Sequence, residues 1–129
     1  MNRVAGITHA LLRIFAGLVL ICPGGMKLFG WFGGMPPGAK MTALLWIAAI
    51  IEVFGGILIV RGLFTRPVAF IASGEMAVAY FKGHFPKSFW PIENHGEPAV
   101  LLCFIFLFLW ANGAGAWSLG GLRARRRRV

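Results

Sequence analysis

Four stretches of this chain are apolar over roughly the length a lipid bilayer demands. They run from about Val4 to Cys22, Met41 to Val60, Pro67 to Phe81 and Glu97 to Trp117. A hydrocarbon core about 30 Å thick is crossed by about 20 helical residues. The pattern therefore predicts an all-α fold, an integral membrane four-helix bundle. Punctuation between the stretches agrees. Pro23-Gly24-Gly25 breaks or kinks the first helix. The segment from Lys27 to Lys40 is rich in glycine and aromatic residues, which suits an interfacial loop. The turn from Arg61 to Pro67 is short, so the second and third spans are expected to be antiparallel neighbours. Pro67 and Pro98 suit the first turns of the third and fourth spans. Residues 1–122 form the four-span domain on this reading, and residues 123–129 form a basic tail.

Composition strengthens the membrane reading. Hydrophobic residues make up 58% and charged residues 13%, against roughly 45–50% and about 25% in soluble domains. The net charge of +9 raises the question of nucleic acid. The basic residues form no groove-reading helix with interleaved aromatics, and five arginines crowd into Arg123–Arg128. The expected partner is the lipid bilayer and not nucleic acid. Arg3, Arg61, Arg66 and the tail fall on one side of the spans. Lys27, Lys40, Lys82 and Lys87 fall on the other, diluted by Glu93 and Glu97. The positive-inside bias then places both termini in the cytoplasm. His9 and Arg13 interrupt the first apolar run, so it is expected to be retained as a span and not cleaved as a signal peptide. Cys22 and Cys103 lack metal-type spacing and lie in apolar runs, where they read as small packing residues. Whether they have a redox role stays open.

Charged residues inside the spans carry the most information. At about 1.5 Å rise per residue, Arg13 lies roughly 15 Å from a boundary near Arg3. Glu52, nine residues before Arg61, and Glu75, nine after Arg66, each lie roughly 13 Å deep. Three helices thus bring one charge each to a common level, and the expectation is a buried polar cluster of Arg13, Glu52 and Glu75. Arg13 can neutralise one carboxylate and leaves the other without a full counter-charge. Such a cluster either staples helices together or serves a function.

The segment from Lys82 to Pro98 is the most functional-looking stretch outside the helices. It carries His84, Phe89, Trp90, His95, Glu93 and Glu97. The ten residues separating His84 and His95 are no recognised ligand spacing, so no metal site is expected. Together with Lys27 and Trp31, these residues fit either an ordinary interfacial belt or a pocket for a flat amphipathic molecule such as a quinone ring.

Several motifs then converge. Lys27-Leu-Phe-Gly-Trp-Phe-Gly-Gly34, Glu52-x-x-Gly-Gly-x-Leu58, Gly62-Leu-Phe-Thr-Arg66, Glu75-Met76, the loop with His84, Phe89-Trp90 and Gly96-Glu97, and Gly115-x-Trp-Ser118 together resemble the DoxX family of small four-helix bacterial membrane proteins. The resemblance covers about Arg13 to Ser118. Many members carry a His-Gly pair where this chain has Pro23-Gly24, so any role of that histidine does not carry over. The resemblance implies a multi-pass protein of the bacterial inner (plasma) membrane. It also implies a small subunit or accessory of a membrane redox system of the quinone-linked oxidoreductase type, part of a complex and not a stand-alone catalyst. On that reading Lys27 and His84 hydrogen-bond a quinone oxygen, with Trp31, Phe89, Trp90 and Glu97 around the ring. No covalently bound cofactor is expected, and no residue is assigned a catalytic role. Two alternatives stay open: a non-catalytic scaffold recruiting a redox partner protein, and a small-molecule or proton transporter, for which four helices give room only in a homo-oligomer.

Overall fold

The computed structural model describes residues 2–120; the basic tail expected at 123–129 lies outside the described residues. Its elements are helix α1 (Arg3–Phe29), a 3-10 turn (Trp31–Gly33), α2 (Ala43–Ile50), a π turn (Ile51–Gly55), α3 (Gly56–Arg61), α4 (Thr65–Ala79), a second π turn (Tyr80–His84), a 3-10 turn (Phe85–Lys87), α5 (Pro91–Asn94) and α6 (Glu97–Asn112). There is no strand among the described residues. Two helical stretches are long and apolar enough to cross a bilayer, Arg3–Phe29 and the composite Ala43–Arg61. α4 and α6 are shorter.

α1 starts at Asn2, whose side chain accepts from the Ala5 N–H at 2.8 Å. It continues through Pro23 to Phe29, beyond the Cys22 boundary that the sequence suggests, and stops only where Gly30 turns left-handed and its N–H closes on Gly25 O. Neighbouring helices can support a proline that costs one backbone hydrogen bond. Here that support comes from close packing on both glycines that follow Pro23. Gly24 lies against Val53 and the Cβ of Glu52, and Gly25 lies under the Trp31 ring. The extension carries Lys27, expected in a loop, onto the last turn of α1.

Small residues set the distance between α1 and the composite α2–α3. A Cβ on Gly17 would stand 2.9 Å from Gly56 O, and one on Gly56 would stand 2.9 Å from Gly17 O. Each glycine admits the backbone of the other helix. α3 turns into α4 through Gly62 in the left-handed region. α4 packs chiefly on α6. The core they share is Ala69, Ala72, Met76, Leu102, Phe106 and Leu109, joined by Ala16, Leu20 and Ile59. Large apolar side chains such as Phe15, Phe54, Phe70 and Phe104 point outward.

The molecule has two distinct ends. One, the basic end, holds Arg3 and the Arg61–Thr65 turn. The other, the aromatic end, holds Trp31 and the segment from Tyr80 to Gly96.

Candidate functional site

Glu52 sits in the π turn that joins α2 to α3 and is only 2% exposed. Its carboxylate receives the Lys27 ammonium at 2.6 and 3.0 Å. The reach follows from helix geometry. Side chains lean toward the N-terminus of their own helix, so Lys27 runs back along α1 past Gly24, which touches Glu52. Lys27 retains 13% exposure. The Glu75 carboxyl on α4 lies within electrostatic range of both Glu52 and Lys27. Both Glu75 oxygens are buried and receive no N–H or hydroxyl donor among the described residues; their polar neighbour is the Glu52 carboxyl, which they can bond only through a proton held by the pair. Two carboxyls thus share one ammonium, and the trio is electroneutral when it holds one proton.

The trio lines a cavity of about 490 Å³. One wall is α2 with its π turn, at Leu44, Ile47, Ala48 and Ile51. The other is α4 with the second π turn, at Ile71, Gly74, Val78 and Ala79. Lys82 and His84 line it too, farther toward the aromatic end. Both π turns among the described residues contribute to this one cavity, and π turns concentrate at functional sites. α4 rests on the first π turn and on α3, while α2 leans on α1. The two walls separate above the trio as a result. Ile47 and Ile71 are both more than half exposed, so the cavity opens sideways between α2 and α4. Nothing stands within 4 Å of a Cβ placed on Gly74, so that residue faces free space.

The residues singled out from sequence fall into separate places. Glu52, Glu75, Lys27 and His84 meet at the cavity. Arg13 does not join the carboxyls. It is fully buried and donates to Ile59 O at 3.0 Å, Val60 O at 3.4 Å, Ala116 O at 2.8 Å, Trp117 O at 2.8 Å and Ala114 O. At the last turn of α3 carbonyls have acceptor capacity to spare: Ile59 O takes both the Gly62 N–H and the guanidinium, which also reaches Val60 O. The same group ties down the segment after α6 in which the Gly115-x-Trp-Ser118 motif lies. The expected Arg13–Glu52–Glu75 cluster is therefore replaced by a Lys27–Glu52–Glu75 one, with Arg13 as a separate staple near the basic end.

Trp31 covers Gly25 and packs on Phe29 with ring centroids 5.4 Å apart. Phe89 and Trp90 pack edge to face at 5.1 Å and are 64% and 61% exposed. Glu97 is exposed at the start of α6. None of these four lines the cavity. Its walls are aliphatic, where the sequence suggests aromatic ones.

Asn94, not singled out from the sequence, organises the aromatic end. It is 1% exposed. Its side chain donates to Ser88 O at 2.9 Å and Tyr80 Oη at 3.3 Å, and accepts from Gly96 N–H at 2.8 Å. Its carbonyl accepts from His84 Nδ1 at 3.0 Å, fixing the ring beside the cavity. The Asn-His-Gly run was the available signal, since asparagine readily bonds backbone two residues on.

A helical membrane protein with a sideways-open cavity and a charged floor is the class these features define. A sequence model of the DoxX family matches residues 8–85, which include Lys27, Glu52, Glu75 and His84. An uncharacterized protein of Haemophilus influenzae is 42% identical over 115 residues, 85% of this chain and 86% of that protein. No solved structure matches. The chain belongs to the DoxX family and is a membrane protein of the DoxX type.

Proposed function

We propose that the chain crosses the bacterial inner membrane four times as a four-helix bundle, with both termini cytoplasmic. In this reading it binds a quinone-type ring in the cavity between α2 and α4 as an accessory of a membrane redox system. The placement of the basic end toward the cytoplasm follows the excess of arginine there. The cavity carries the functional reading. Its volume lies within the range of about 300–1,000 Å³ usual for small-molecule sites, and it joins apolar walls to a few convergent polar groups. A ring entering from the lipid meets aliphatic walls first and the Lys27–Glu52–Glu75 floor last, while an isoprenoid tail stays in the bilayer. A partner protein would exchange electrons with that ring.

Titration of duroquinone and duroquinol into the full chain in lipid nanodiscs tests this by calorimetry. Saturable binding of at least one form, abolished by Gly74→Leu, is the expected result. Absence of binding by folded protein to both forms overturns the proposal. The carboxyl pair specifically favours one second reading, a proton-coupled small-molecule pathway. Proton uptake driven by substrate in proteoliposomes, lost in Glu75→Gln, would favour that reading over the first.

A further inference from the structure

We infer that the cavity prefers the reduced, hydroxyl-bearing form of the ring, with Glu75 accepting a hydrogen bond from a ring hydroxyl. This rests on the reading of the cavity as a quinone-type site. Inside the protein, Glu75 lacks a donor. Both of its oxygens are buried and receive no N–H or hydroxyl donor; a proton held with the neighbouring Glu52 carboxyl serves one of them and leaves the other an open acceptor, and the nearby ammonium of Lys27 is taken up by both oxygens of Glu52. His84 spends its Nδ1–H on Asn94 O. The walls around the floor are aliphatic. The complement to such a floor is a ligand that brings its own O–H.

A quinone and its quinol have nearly the same shape but differ in hydrogen-bonding sense. The quinone offers carbonyl acceptors only. A quinol hydroxyl both donates and accepts, so it satisfies the Glu75 carboxyl whether or not that group holds a proton. A quinone carbonyl can satisfy only a protonated Glu75, and then leaves its other oxygen bare. Unmade hydrogen bonds at buried acceptors cost more than made ones gain, so the difference appears in affinity. The inference concerns binding alone; the ring keeps its oxidation state throughout.

The test compares duroquinol with duroquinone by anaerobic calorimetry on the full chain in nanodiscs. The dimethyl ether of duroquinol serves as a probe of the same ring without donors. Duroquinol is expected to bind about tenfold tighter or better than either of the other two. Glu75→Met is expected to bring all three within about twofold of one another. Methionine keeps the length and apolar stem of the side chain, and what it gives up inside the protein is the contact with the Glu52 carboxyl. The wild-type comparison stands whether or not that variant folds. Equal affinities, or tighter binding of duroquinone, overturn this inference and leave the ring site intact. A preference that survives Glu75→Met also overturns it. Failure of all three to bind overturns the ring site itself.

Discussion

Replacing Lys27 by methionine removes the ammonium that holds Glu52 and keeps most of the side chain's length and apolar contact. Glu52 would then lie 2% exposed with no cation. Breaking a buried ion pair from one side costs about 3–5 kcal/mol. The lower end applies here because Lys27 is 13% exposed and its charge is not fully withdrawn from water. Lys27→Met should therefore destabilise the protein by about 3 kcal/mol. Glu52→Gln, which strands the ammonium beside Glu75 instead, should cost less. The double variant should be more stable than the sum of the single effects by about 1–3 kcal/mol, because neither charge is then left alone. Reversible unfolding titrations in mixed micelles measure all four corners of this cycle. Additive effects, or a Lys27→Met variant within about 0.5 kcal/mol of wild type, would refute the argument that this pair organises the cavity floor.

Other substitutions test the remaining parts. Arg13→Met strips donors from five carbonyls and should cost at least about 3 kcal/mol in the same titration. Gly17→Val forces a side chain to within 2.7 Å of Val60 Cγ2 and 2.9 Å of Gly56 O; a loss of about 1–3 kcal/mol is expected. Gly74→Leu extends into free space and should leave the unfolding midpoint unchanged within about 0.5 kcal/mol while abolishing ring binding. Asn94→Ala should cost about 1–3 kcal/mol, with faster amide hydrogen exchange at residues 84–96 as its local signature.

The common level of Glu52 and Glu75 is legible because each lies nine residues from an arginine near an end of its helix. Counting gives a level along the helix axis, but neither a direction around it nor the reach of a side chain. That is why Arg13 seemed to share the site. It lies at a comparable count, yet it leans toward its own N-terminus and reaches carbonyls at the end of α3. The pairing of Lys27 with Glu52 is hidden for the opposite reason. Pro23-Gly24-Gly25 is a stop signal in isolation, and only packing against Val53, Glu52 and Trp31 keeps the helix going. The cavity itself has no local signature. It depends on two π turns and on a glycine facing space, which arise from how α1, α4 and α6 fit together. Aromatic density near residues 81–90 was visible and pointed to a ring site, but those rings pack largely on one another.

Photoaffinity labelling of native membranes with an azidoquinone, followed by peptide mapping, tests the location of the site most directly. The account predicts adducts on residues 44–52 and 71–84, competed by duroquinol and lost in Gly74→Leu. Adducts confined to Trp31, Phe89 and Trp90, with none on the cavity walls, would contradict it.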